Sequence, residues 1–277
     1  MGAGYYSPTD LDEALGLLGS RAMSVVAGGT DWFPAQGRRP VSCDMLDVTR
    51  LAELRGIDPQ DGGWRIGATA TWSDVLRADL PPAFDGLRSA ARAVGGVQIQ
   101  NAGTVAGNLC NASPAADGMP PLLTLDASVE LAGPAGRRVL PLSDFVIDRR
   151  KTRCASDELV VALHIPPQPD AARGAFLKTG ARRYLVISIA MTAVIVGLDA
   201  DGHIDHARVA VGACSPVASR LPALEAAMIG QRPTDVVVTR AHLAPLAPIE
   251  DVRADAAYRT EIVPHQIMRV LQAAADG

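Results

Sequence analysis

Residues 104–118, TVAGNLCNASPAADG, constrain what this chain can fold into more than any other stretch. Ala106 and Gly107 carry little or no side chain, and Asn108, Asn111, Ser113 and Pro114 break any apolar face at the helical or the strand period. The run is too long for an ordinary turn and too rich in small residues for a helix. It is therefore expected to be a loop that leaves backbone accessible. Such a loop packs under a neighbouring helix, or it brings N–H groups and polar side chains (Thr104, Asn108, Ser113, Asp117) against a phosphate, ribose or ribitol. Taken alone, its residues leave both uses open.

A second stretch of the same kind, AGGTD at Ala27–Asp31, follows a strand expected at Met23–Val26. Consecutive glycines allow φ > 0 and close approach to a ligand, so successive N–H groups can face an anion, with the Thr30 hydroxyl beside them. A tight turn before a structural loop is the other reading. Two such stretches in one chain favour a shared diphosphate site. Neither is a dinucleotide fingerprint of the G-x-G-x-x-G type. Gly2 and Gly4 begin one, but Ser7 stands in the third place and no strand precedes it; no G-x-x-x-x-G-K-[ST] occurs anywhere.

Around these stretches the pattern alternates helices and strands. Ser7-Pro8 reads as the cap and first residue of a helix carrying Leu11, Ala14, Leu15 and Leu18 on one face. Strands are expected at Met45–Val48 and Trp64–Ala68, with a capping box at Thr71–Asp74 and a helix over Pro82–Val94. PPLLTLDASVELAG gives a helical turn and a strand, and Leu159–Ile165 is a strand stopped by Pro166-Pro167. PPQPDAARG has the composition of a boundary, which places a domain change near residue 170. Beyond it, AFLKTG, ISIAMTAVIVGLD and HARVAVGA read as strands, with DADG as a hairpin turn. Further helices follow, the last over about Asp255–Ala275.

Composition narrows the function. The 277 residues are 48% hydrophobic but only 4% aromatic, and the net charge is −4, which disfavours nucleic-acid binding. No run approaches the roughly 18 apolar residues of a membrane span. The opening MGAGYYSPTDLDEAL lacks the basic and apolar regions of a secretory signal, so a cytoplasmic location is expected. Cys43, Cys110, Cys154 and Cys214 form no C-x-x-C pair and read as free thiols rather than as an iron–sulfur or zinc site. His203 and His206 lie on a hairpin strand whose alternation puts them on opposite faces, so a metal site there is not expected. Arg149, Arg150, Lys151 and Arg153 read as a solvated loop, with a docking surface for a partner as the alternative. No G-x-S-x-G elbow supports Ser-His-Asp catalysis.

AGGTD, TVAGNLCNASPAADGMPPLLTLDA, LVVALHIP, FLKTGARR and EDVRADAAYR occur in one order along the chain. Together they resemble the FAD-binding (medium) subunit of the xanthine dehydrogenase and carbon monoxide dehydrogenase family of molybdenum hydroxylases, over essentially the whole length. The resemblance implies an α+β chain. Its first part is the two-subdomain FAD-binding fold of the p-cresol methylhydroxylase and vanillyl-alcohol oxidase type, residues 1–170, with subdomains of about 1–55 and 56–170. A smaller α+β flavoprotein domain of the carbon monoxide dehydrogenase type follows over 171–277.

The same resemblance implies roles for particular residues. Ala27, Gly28, Gly29, Thr30, Asp31 and Trp32 would wrap the FAD diphosphate from one side, and Thr104, Val105, Ala106, Gly107 and Asn108 from the other. Asp117 would contact the flavin's polar chain, Val160 would pack near the cofactor, and Lys178 would lie by the isoalloxazine. Tyr184 would screen the ring, or be an ordinary partly buried tyrosine. The family usually has glycine where this chain has Ala106, which puts a methyl at the closest diphosphate approach unless φ stays negative.

The implied activity is electron transfer. Electrons from molybdenum in a large molybdopterin-binding subunit would pass through [2Fe-2S] clusters of a small subunit to this FAD, and then to NAD+, oxygen or a quinone. A dimer of heterotrimers is the implied assembly. A self-contained flavin reductase or oxidase, and a scaffold subunit without flavin, are the alternatives.

Overall fold

The computed structural model describes residues 3–182 and 185–277, so Tyr184 lies outside the described residues. The chain opens as β1 (Tyr5–Tyr6), α1 (Leu11–Ser20), β2 (Met23–Val26), α2 (Trp32–Gln36) and β3 (Asp44–Asp47). The strands form a parallel sheet in the order β1-β3-β2. Leu11, Ala14 and Leu18 of α1 fall on one helical face and enter the core. The helix does not begin at Ser7-Pro8 as the sequence suggests. Asp10 is its cap, accepting from the N–H groups of Asp12 and Glu13 at 2.9 and 3.1 Å. A carboxylate is the stronger acceptor for the unpaired donors of a first turn. The Ser7 hydroxyl instead donates to Asp47 at 3.4 Å.

The next part runs β4 (Ile57–Gln60), β5 (Gly63–Gly67), α3 (Trp72–Arg77), α4 (Asp85–Ala93), α5 (Val97–Ala102), α6 (Val105–Cys110), α7 (Met119–Thr124), β6 (Ser128–Gly133), β7 (Gly136–Pro141), α8 (Leu142–Phe145), β8 (Val146–Asp148), β9 (Lys151–Thr152) and β10 (Leu159–Ile165). An antiparallel sheet has the order β4-β5-β10-β6-β7. Its middle strand β10 is LVVALHI, buried at every residue but His164, as befits a strand covered on both faces. Thr71 and Asp74 form the expected capping box at the start of α3.

The stretch read as an open loop is where the structure departs most from expectation. Residues 105–110 are helix α6, capped by the Thr104 hydroxyl, which accepts from the Gly107 N–H at 3.0 Å. Val105, Ala106 and Leu109 are buried in the core. Tertiary packing of these three, together with the cap, outweighs the low helix preference of the small residues.

The last part is an antiparallel sheet of β11 (Arg173–Thr179), β12 (Ala190–Leu198), β13 (Ile204–Gly212) and β14 (Ser219–Arg220), followed by α9 (Pro222–Met228) and α10 (Ala256–Asp276), which Asp255 caps. Strand β12 is apolar almost throughout because both its faces are covered. Val194 and Val196 share one core with Ile267 and Leu271 of α10, whereas Ile195 joins the core of the first part. Helix α4 and the short turn before it lie directly on β11. A Cβ at Gly174 would sit 2.3 Å from the Ala83 carbonyl oxygen, so only glycine permits this backbone contact. His203 lies in the β12–β13 turn and His206 on β13. Among the described residues no His/Cys/Asp/Glu group could hold a metal, and no helix is long and apolar enough to cross a membrane.

Replacing the true cap is expected to cost stability. Asp10→Ala should lower the unfolding free energy by about 1 kcal/mol, seen as a lower urea midpoint at unchanged slope. Ser7→Ala should shift the midpoint by less than half as much.

Candidate functional site

The chain leaves β2 at Val26 and reverses through Ala27–Asp31 into α2, with Gly29 at φ +66°. Gly28 lies against the connection between α5 and α6. A Cβ there would fall 1.7 Å from the Ala102 carbonyl oxygen, so any side chain would push the two small-residue stretches apart. The second stretch is held from behind by Trp72 N–H on the Gly103 carbonyl (3.1 Å) and Val105 N–H on that of Ala70 (3.0 Å). Among the described residues no protein acceptor takes the N–H of Gly28, Gly29, Thr30 or Asp31.

These donors border a groove of about 870 Å³. Of the residues expected to wrap the diphosphate, all line it except Val105, together with Asp117, Val160 and Lys178. Val105 is a correction. Its side chain is fully buried in the core, because the first turn of α6 turns that position inward. Ala106 sits within α6 at negative φ and is 3% exposed, so the methyl is accommodated by the helix itself. The Asn108 side-chain oxygen accepts from the Gly118 N–H at 3.1 Å and ties α6 to the approach of α7.

Asp117 and Lys178, read separately from the sequence, are one ion pair. Lys178 Nζ lies 2.7 Å from Asp117 Oδ2 and also donates to the Ala93 carbonyl at 3.3 Å. The Ser188 hydroxyl donates to Asp117 Oδ1 at 2.9 Å. Burial pushes the Asp117 carboxyl above the usual carboxylate range, and the Lys178 charge and the Lys178 and Ser188 hydrogen bonds oppose that rise. The pair joins the α6–α7 region to β11, and breaking it would leave a buried charge unpaired.

Two contributions escaped the sequence reading. Arg150, expected in a solvated loop, lines the groove. Its N–H donates to the Ala112 carbonyl at 2.8 Å, and its guanidinium donates to the Asn111 carbonyl (3.0 Å) and side-chain oxygen. The exposed apolar run Leu185–Ile187 supplies another wall. No local pattern marks either one, because each reaches the groove only through contacts distant in sequence.

Free backbone donors suit a diphosphate, the apolar walls suit ring systems, and the volume lies within the range of ordinary ligand sites. Such a groove defines a protein able to hold an extended ligand with a diphosphate and a ring system. The sequence model described as the FAD binding domain in molybdopterin dehydrogenase matches residues 1–168, and that described as the CO dehydrogenase flavoprotein C-terminal domain matches residues 175–274. The chain belongs to this family of FAD-binding subunits, its cofactor is FAD, and it is part of an oxidoreductase. It is 30% identical to the xanthine dehydrogenase FAD-binding subunit of Escherichia coli O157:H7, covering 99% of this chain and 98% of the relative. It is 28% identical to the carbon monoxide dehydrogenase medium chain of Hydrogenophaga pseudoflava, covering 98% and 96%. A solved carbon monoxide dehydrogenase from Hydrogenophaga pseudoflava superposes with a TM-score of 0.87 at 27% identity over 99% of this chain and 97% of that one. The reconstituted CO dehydrogenase from Oligotropha carboxidovorans, at 23% identity and a TM-score of 0.89 over 100% and 98%, shares the fold.

A branched side chain at Gly107 would meet Thr104 Oγ1, which a Cβ there already approaches to 2.6 Å, and would project into the groove. Gly107→Val is expected to abolish FAD retention, measured as flavin per protein after gel filtration.

Proposed function

We propose that this chain is the electron-transferring flavin subunit of a multisubunit molybdenum hydroxylase. It takes electrons from [2Fe-2S] clusters of a small partner subunit and delivers them to an external acceptor such as NAD+, oxygen or a quinone. The observation that carries the reading is that both small-residue stretches, Asp117 and Lys178 meet at one groove in a chain of the FAD-binding family. FAD, when bound, supplies the chemistry of accepting and passing on electrons.

The chain's own part is to hold and tune. Ala27–Trp32 on one side and Thr104 with Ala106–Asn108 on the other wrap the diphosphate, and the N–H groups of Gly28–Asp31, which no described protein acceptor takes, serve as donors. Asp117 accepts from the polar chain of the flavin, and Val160 packs beside the cofactor. Lys178 stands by the isoalloxazine, with Tyr184 as a screen over the ring. Because Lys178 shares its charge with Asp117, the ring experiences the field of an ion pair rather than that of a lone cation. No side chain of this chain is assigned as a general acid or base.

The proposed partners are a large molybdopterin-binding subunit and a small [2Fe-2S] subunit, joined as a cytoplasmic dimer of heterotrimers. Relatives named as a medium chain or a medium subunit support an assembly with companions of other sizes. The proposed division is a FAD-binding domain over 1–170, with subdomains of about 1–55 and 56–170, and a flavoprotein domain over 171–277.

Purification of the chain from its native host is expected to bring two further polypeptides and a visible spectrum with both flavin and iron–sulfur bands. A colourless chain that takes up no added FAD would sink the proposal. Turnover of a small substrate by the isolated chain would favour a self-contained enzyme instead.

A further inference from the structure

Ser188 stands where the chain leaves the groove wall Leu185–Ile187 and enters β12. It is 2% exposed and does not itself line the groove. Its hydroxyl occupies Oδ1 of Asp117 at 2.9 Å while Lys178 Nζ occupies Oδ2 at 2.7 Å. The backbone next to it is fixed as well. The Ile189 N–H donates to the Thr179 carbonyl at 2.7 Å. The Ile189 carbonyl accepts from the guanidinium of Arg259. Arg259, on α10, is fully buried and is itself held by the Ala213 carbonyl at 2.8 Å and by Asp251 at 2.7 Å. A continuous set of contacts thus runs from the C-terminal helix to the groove.

A carboxylate held at one oxygen can still turn about its terminal torsion, which has broad preferences, and its ammonium partner turns with it. A second donor on the other oxygen removes that freedom, and a hydrogen bond to a charged group is stronger than one between neutral groups. Lys178 and Ser188 are the charged and polar side chains that act on Asp117.

We propose that Ser188 is a positioning residue of the FAD groove. By holding Asp117 it fixes where Lys178 presents its charge and keeps Leu185–Ile187 against the ligand. The inference rests on the groove being the FAD site.

The test is a double-mutant cycle in the full chain loaded with FAD, comparing wild type, Ser188→Ala, Asp117→Asn and the double variant. The readouts are the FAD dissociation constant and the midpoint potential of the bound flavin. Ser188→Ala is expected to weaken FAD binding about tenfold. It should also lower the potential, because a hydroxyl dipole that offset the carboxylate charge is gone. In the Asp117→Asn background the same change should have no further effect on either quantity. Ser188→Cys, a weaker donor of similar size, should fall between wild type and Ser188→Ala. The proposal is overturned if Ser188→Ala lowers only the unfolding temperature of the apo chain, or if its effect persists undiminished beside Asp117→Asn. If Asp117→Asn itself matches wild type in both readouts, the groove assignment falls together with the proposal.

Discussion

The site depends on the contact between Gly28 and the Ala102 carbonyl oxygen. There, 1.7 Å from where a Cβ would be, two chain segments more than seventy residues apart meet backbone to backbone. The turn after β2 can lie beside the start of α6 only because nothing projects between them. That closeness places the N–H groups of Gly28–Asp31, which no described protein acceptor takes, and the small residues Ala106 and Gly107 on one groove. A methyl group at Gly28 would cost more than local strain, since it would separate the two halves of the proposed diphosphate cradle.

A second constraint acts at the other end of the groove. Burying Asp117 and Lys178 is costly unless each is paired, and their 2.7 Å contact with the added Ser188 and Ala93 partners answers that cost. The partners come from separate regions, so the pair forms only when β11 is seated against α4. The close approach of Gly174 to Ala83 and the burial of Ile195 in the first core provide that seating. Arg259 then anchors the carbonyl next to Ser188 from α10. The last hundred residues therefore complete the groove instead of merely adjoining it.

Much of the scaffold was legible in the order of residues. Strands β2 and β10 fall at the expected positions, Thr71–Asp74 caps α3, and Asp255 marks the start of the last helix. These features rest on local rules: apolar runs, side-chain caps, and turn residues between strands. Expectation failed where a local rule met a competitor. Ser7 lost the cap of α1 to the carboxylate of Asp10, and residues 105–110 became a helix because the core took Val105, Ala106 and Leu109.

The sequence by itself determined most of the secondary elements, the two small-residue stretches, and the resemblance that named FAD. Those depend on neighbours along the chain or on motifs readable in order. Only the tertiary structure decided that Asp117 and Lys178 form one pair and that Ser188 holds it. It also decided that the exposed Arg150 borders the groove and that Val105 turns away from it. These are contacts between residues far apart in sequence, and their partners are selected by how sheets and helices pack, which no local pattern encodes.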